Sequence, residues 1–323
     1  MGEQELRRVG RSGLEVSVIG LGCNNFGRRL DVADAVRVVE AAIDEGITLF
    51  DTADLYAGGR SEEIVGQGVR AHRDSVVVAT KFGGAMGASP YRRGGSRRWI
   101  RIAVEESLRR LGTDWIDLYQ LHFPDPATPI EETLETLSDL VREGKIRYIG
   151  SSNLSGWQLA HADWTARTHG FEPFISAQNL YNLIQREAEA DVIPACEQYG
   201  LSLIPYYPLG GGLLTGKYRR GEDAPQGTRL QLVPDHGREM LQERNFDVVD
   251  RLREFAAARE VSLLQVVLGG LAAQSCVASV IAGAMSPQQV SANVAAGRWV
   301  PGDEDRAALR SVLEEPAPTL RRR

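Results

Sequence analysis

Eight short runs rich in β-branched residues recur along this chain, and most of them are followed by a stretch with helical periodicity. The runs are VIGLG from Val18, ITLFD from Ile47, VVVATK from Val76, IDLYQLH from Ile116, IRYIGSSN from Ile146, FISAQN from Phe174, LSLIPYYPL from Leu201 and VASVIAG from Val277. Near-continuous apolar runs of this length suit parallel strands covered on both faces, not strands with one wet face. Eight unbroken alternations favour a closed (β/α)8 TIM barrel over an open doubly wound sheet. The 323 residues exceed the usual size of one barrel only modestly, so residues 1–323 are expected to form a single domain.

Local signals agree. Asp31 reads as an N-cap for the helix after the first run, and Gly46 stands where a left-handed residue would end it. Thr128-Pro129-Ile130-Glu131, Ser155-Gly156-Trp157-Gln158 and Ser286-Pro287-Gln288-Gln289 read as capping boxes. Residues 5–16 are expected to form an N-terminal β-hairpin around Arg11-Ser12-Gly13, covering the bottom of the barrel. The segment Gly210–Glu243, after the seventh run, is expected to be a long mobile loop on the active face. Residues 315–323 are expected to be a frayed tail.

Composition narrows the class. With 43% apolar and 25% charged residues and a net charge of −6, the chain reads as a globular protein with neither nucleic acid nor an anionic membrane as partner. No run nears the length needed to span a bilayer, and MGEQELRRVG lacks the apolar core of a signal peptide. Cys23, Cys196 and Cys276 are odd in number and far apart, so neither disulfides nor a metal site is expected. A reduced, cytoplasmic protein follows; the oligomeric state is left open.

In such a barrel the C-terminal strand ends form the active face. The second run ends at Asp51 with Tyr56 in the next loop, the third at Lys81, the fourth at His122. Each alone has an ordinary structural use. Together they bring a carboxylate, a phenol, an amine and an imidazole to one rim. An ammonium favours the phenolate and is expected to lower the tyrosine pKa, giving a tuned acid for a carbonyl oxygen. No partnered nucleophile accompanies it, so a hydride source, a nicotinamide cofactor, is implied. The usual fingerprint fails, since Gly20-Leu21-Gly22 is followed by asparagine at position 25. Gly211 to Lys217 resembles a P-loop, but Tyr218 replaces the magnesium-binding hydroxyl. A phosphate site is better placed where Ser286-Pro287 opens a helix.

These motifs, in order, resemble the aldo-keto reductase superfamily over nearly the whole chain, and in particular a bacterial branch related to potassium-channel β subunits. They are Asp51-Thr52-Ala53 with Tyr56, Thr80-Lys81-Phe82-Gly83, Asp117-Leu118-Tyr119 before His122, Gly150-Ser151-Ser152-Asn153, Gln178-Asn179 with Tyr181, Tyr206-Tyr207-Pro208-Leu209, and Gly212 to Lys217. The resemblance implies an NAD(P)H-dependent reductase of small aldehydes or ketones in which Tyr56 donates the proton. Lys81 and Asp51 would tune that proton, and His122 would orient the carbonyl. Ser152, Asn153 and Gln178 would hold the carboxamide, and Tyr206 would stack on the nicotinamide. Leu209, Gly211, Leu213 and Lys217 would strap the pyrophosphate; Gly283, Ser286, Gln289 and Asn293 would meet the adenosine end. NADPH is the expected cofactor and NADH the alternative, because Met285 and Gln289 are uncharged where many relatives carry a basic residue. The substrate pocket is assigned to Asn25, Phe26, Phe82, Phe123 and Tyr207. A slow redox sensor or regulatory subunit, and a nucleotide-sugar ketoreductase meeting four arginines in the 84–98 loop, stand as alternatives.

Overall fold

A computed structural model describes residues 4–314. The expected tail at 315–323 lies outside them. An antiparallel hairpin of β1 (Leu6–Arg8) and β2 (Glu15–Ser17) comes first. Eight parallel strands follow: β3 (Ile19–Gly22), β4 (Leu49–Asp51), β5 (Val77–Phe82), β6 (Ile116–Leu121), β7 (Ile146–Ser152), β8 (Ser176–Gln178), β9 (Ser202–Leu203) and β10 (Val280–Gly283). They pair in the order β10-β3-β4-β5-β6-β7-β8-β9. The ring closes where Leu203 bridges Val277 and the Ile281 N–H donates to Pro205 O at 3.0 Å. Each strand coincides with one of the eight runs, and the fold is a (β/α)8 barrel.

The helices are α1 (Val32–Asp44), α2 (Arg60–Val69), α3 (Arg97–Leu111), α4 (Ile130–Arg142), α5 (Gly156–His169), α6 (Val192–Tyr199), α7 (Arg229–Leu232), α8 (Pro234–Met240), α9 (Glu243–Ala257), α10 (Leu263–Ala272), α11 (Pro287–Gly297) and α12 (Asp303–Glu314). Asp31 caps α1, accepting the Asp34 N–H at 2.8 Å. The Ser155 N–H donates to Gln158 Oε1 at 3.0 Å at the start of α5. The box expected at Thr128 does not form. Pro129 is itself the cap of α4, and the Thr128 hydroxyl donates to Asp125 Oδ2 at 2.7 Å. Asp125 also accepts from Gly95 and Ala127 and organises that loop, so the hydroxyl finds a better acceptor than a helix amide.

The hairpin closes the barrel floor. Val9 and Val16 pack with Leu49, Val77, Leu118, Ile175 and Ile204. Gly10 makes the closure possible. Its φ is +56°, and a Cβ there would stand 2.3 Å from Ile175 O. At the opposite end, the segment after β9 is docked, not free. It carries α7 and α8, and Leu230 and Met240 are each 1% exposed. The two helices are too short to show a 3.6-residue period in sequence, which is why the segment reads as an irregular loop.

Candidate active site

The C-terminal strand ends converge as the sequence suggests. Lys81, on β5, is fully buried. Its ammonium donates to Asp51 Oδ1, Asp51 Oδ2 and Thr52 O, each at 2.8 Å, and approaches Tyr56 Oη at 3.5 Å. An ammonium has three protons, so the short bonds exhaust them. Lys81 therefore acts on Tyr56 by its field more than by a hydrogen bond. Burial alone would lower the Lys81 pKa; Asp51 and Tyr56 more than reverse that and keep it charged.

The Tyr56 pKa corrects the expectation. Burial raises it above the usual phenol value, and the opposing Lys81 charge does not bring it back down. The phenol is thus a protonated acid at neutral pH. His122, one residue beyond β6, is pushed down to about 2 by burial and then by Lys81. Its imidazole is neutral, and its ring meets that of Tyr56 edge-on at 5.9 Å.

Polar side chains of β7 and β8 tie into the same cluster. Gln178 Nε2 donates to Asp51 Oδ1 at 2.8 Å, and Ser152 Oγ donates to Gln178 O at 2.8 Å. Asn153 has a φ of +61°, which asparagine tolerates. From there its Nδ2 donates to His122 O at 2.9 Å, while its Oδ1 accepts the Tyr206 hydroxyl at 2.8 Å. Tyr207 also has a φ of +61°, costly for an aromatic residue. It is held there by His236 Nε2 on its hydroxyl at 2.8 Å and by Asn182 Nδ2 on its carbonyl at 3.2 Å.

These residues open onto one cavity of about 820 Å3, within the range of small-molecule and cofactor sites. Asp51, Tyr56 and His122 line it, with Lys81 directly behind. Ser152, Asn153, Gln178, Tyr206, Leu209, Gly211, Lys217, Gly283, Gln289 and Asn293 line it too, as do Asn25, Phe123 and Tyr207.

Besides Lys81, four expected residues do not. Phe82 is fully buried and stacks on Tyr119 at 4.7 Å, because side chains alternate along β5 and Lys81 takes the inward face. Phe26 is fully buried behind a turn that leaves Cys23 and Asn25 facing the cavity. Leu213 is core. Ser286 caps α11 by accepting the Gln289 N–H and stays off the lining. The arginines of the 84–98 loop are also absent from the lining. Arg92 pairs with Glu106, Arg97 with Glu135, and Arg98 lies over Tyr91.

The sequence reading missed Arg29 and Arg229. Arg29 Nη2 donates to Gly227 O at 2.6 Å, and Arg229 Nη1 reaches Asn24 Oδ1 at 3.4 Å. They pin the segment after β9 across the cavity to the loop after β3. Only closure of the fold brings these distant positions together. Arg29, Arg229 and Lys217 all line the cavity with no carboxylate partner among the described residues. Burial and the charge of Arg29 lower the Lys217 pKa. Cations left in this state fit a ligand carrying phosphate groups, as a nicotinamide dinucleotide does.

Comparison with known proteins decides the family. A family model described as the aldo/keto reductase family matches residues 18–314. The chain belongs to that family. Versiconal hemiacetal acetate reductase of Aspergillus parasiticus is 36% identical over 291 residues, covering 82% of this chain and 84% of the relative. An uncharacterised oxidoreductase of Bacillus subtilis is 39% identical over 245 residues, covering 72% and 75%. A probable voltage-gated potassium channel subunit beta of Oryza sativa subsp. japonica is 36% identical over 285 residues, covering 86% of each. As an aldo/keto reductase the chain is an oxidoreductase of carbonyl compounds. Among the described residues no helix is long and apolar enough to cross a membrane.

Proposed function

We propose that the chain reduces an aldehyde or ketone to the alcohol with a nicotinamide cofactor, NADPH before NADH, and that Tyr56 supplies the proton. The observation that carries this reading is the Tyr56 hydroxyl, protonated and 3.5 Å from a buried ammonium, at the mouth of a cavity edged by cations with no carboxylate partner among the described residues. When bound, the reduced nicotinamide supplies the hydride. The chain's own residues do the rest. Tyr56 gives its proton to the carbonyl oxygen as negative charge develops there, and Lys81 stabilises the phenolate left behind. The neutral His122 ring orients the same oxygen by an N–H donation. Asp51 keeps Lys81 charged and fixed. Ser152, Asn153, Gln178 and Tyr206 offer amide partners and a ring face to the nicotinamide; Lys217, Arg29 and Arg229 offer cations to its phosphates.

Phe123, 44% exposed and stacked on His122 at 4.2 Å, and Tyr207 favour a substrate with apolar or aromatic character. None of the four arginines of the 84–98 loop lines the cavity, and Arg92, Arg97 and Arg98 are engaged elsewhere, so they lend the nucleotide-sugar reading no support.

Tyr56→Phe is expected to lower kcat on simple aldehydes by about 100-fold or more while cofactor affinity, read by fluorescence titration, stays within about 2-fold. A variant keeping most of its rate would overturn the assignment of the acid. A panel of aldehydes and ketones run with both cofactors tests the function itself. Tight cofactor binding with no turnover would support a cofactor-binding sensor instead.

A further inference from the structure

One oxygen of the Asp51 carboxylate has three nitrogen donors around it. Asp51 Oδ1 accepts from Lys81 Nζ and from Gln178 Nε2, each at 2.8 Å, and Gln120 Nε2 stands 3.5 Å from the same atom. Gln120 lies on β6, in register with Lys81 on β5, and is fully buried. A carboxylate only accepts, so the amide turns its nitrogen to Asp51. Gln120 Oε1 is left without a hydrogen-bond partner among the described residues. Such a group costs free energy that an apolar side chain of the same size would not. The neighbouring strand accommodates this amide. A Cβ on Gly150 of β7 would stand 3.2 Å from Gln120 Cγ and 2.4 Å from Ser176 Oγ. A costly amide with room kept for it needs a use, and the proton transfer assigned to Tyr56 and Lys81 gives it none directly.

We infer that Gln120 is a positioning residue for the reaction, the donor that keeps the Asp51 carboxylate in place while Gln178 is engaged by the nicotinamide. The inference rests on the reductase reading, in which Gln178 offers its amide to the cofactor. The two glutamines differ in what else they can meet. Gln178 lines the cavity, and Gln120 does not. An N–H given to a ligand is no longer reserved for Asp51, whereas Gln120 can turn to nothing but Asp51. Asp51 is buried, so a donor withdrawn on one side has to be replaced from another. Closing 3.5 Å to the usual limit of about 3.2 Å takes a shift of only about 0.3 Å. The effect reaches Tyr56 through charge. Tyr56 faces Lys81 from β5, Asp51 from β4, His122 from beyond β6 and Cys23 from beyond β3, and the Asp51 charge pushes its pKa up. A carboxylate held by amide donors opposes loss of the Tyr56 proton less than a bare one. Gln120 therefore makes Tyr56 a better acid without touching it.

Gln120→Met keeps the length of the side chain and removes the donor. At saturating cofactor and carbonyl, its single-turnover rate of hydride transfer is expected to fall about 5-fold or more, while cofactor affinity stays within about 2-fold. Gln120→Glu, buried beside Asp51 and so protonated, still offers an O–H and is expected to recover most of that rate. A folded Gln120→Met chain with the parental rate, or an equal loss in Gln120→Glu, would overturn the inference. Urea unfolding of the cofactor-free chain gives a second readout that needs no turnover. Gln120→Met with Gln178→Met is expected to lose more stability than the two single variants summed, because only the pair strips Asp51 of both amides. In an Asp51→Asn background, which carries no buried charge to hold, that excess is expected to vanish. Additive losses in the parent background, or an excess that persists with Asp51→Asn, would also overturn it. A parent chain that reduces no carbonyl would sink the reductase reading alone, and the unfolding cycle would still decide whether Gln120 holds Asp51.

Discussion

Burying an imidazole beside an ammonium sets the protonation of His122, and the consequence is measurable. Its pKa falls from 6.5 to about 2, through burial first and Lys81 second. The folded chain therefore binds fewer protons than the unfolded one below pH 6.5. Stability due to the neutral ring is complete above that pH and is lost progressively as pH falls toward 2. At pH 5 the loss from this residue is about 2 kcal/mol. In urea unfolding, His122→Asn is expected to lose about 2 kcal/mol less than the parent chain between pH 7 and pH 5. Equal losses would mean that the ring takes up a proton in the folded state. At this scale the sequence was legible wherever a strand ends in a polar residue, as at Asp51, Lys81 and His122. It misled at Phe82 and Phe26, because whether a side chain beside such an end faces the cavity or the helices depends on strand alternation and turn geometry. It also misled on the sign of the Tyr56 shift, since burial is invisible in a list of neighbours.

The strands were legible as elements because both of their faces are covered, leaving unbroken apolar runs. The segment between β9 and α9 was not, because α7 and α8 are short and their anchors, Leu230 and Met240, do not form a repeat. What holds it across the cavity is a pair of arginine contacts, Arg29 to Gly227 O and Arg229 to Asn24 Oδ1. If that segment straps a bound cofactor, the arginines both meet its phosphates and tie the strap shut. Removing one charge-assisted hydrogen bond costs about 1.5–3 kcal/mol. Arg29→Ala is expected to speed cofactor release by about 10-fold or more, followed by stopped-flow fluorescence, with the rate of hydride transfer in a single turnover little changed. Release that is unaltered in both Arg29→Ala and Arg229→Ala would show that the strap does not govern it.

The whole barrel separates its labours by end. Ionisable groups and the cations of the cavity gather at the C-terminal rim, while the floor holds Val9, Val16, Leu49, Val77, Leu118 and Ile204 and none of the groups assigned to the chemistry. Conservative damage at the two ends should therefore have opposite signatures. At the rim, Tyr56→Phe removes one oxygen atom that bonds only weakly to Lys81, so it strikes rate and spares stability. At the floor, Gly10→Ala adds one carbon where φ is +56° and the new atom would sit 2.3 Å from Ile175 O. Neither the hairpin nor the chain entering β8 can yield without opening the apolar packing between them. Backbone strain and lost packing together are expected to cost about 2–4 kcal/mol. A chain of this size then melts several degrees lower. The surviving folded fraction is expected to keep its kcat and cofactor affinity below the new midpoint, because no atom within the cavity has moved. A Gly10→Ala chain with normal thermal stability, or one that loses rate before it loses fold, would show that floor and rim are coupled.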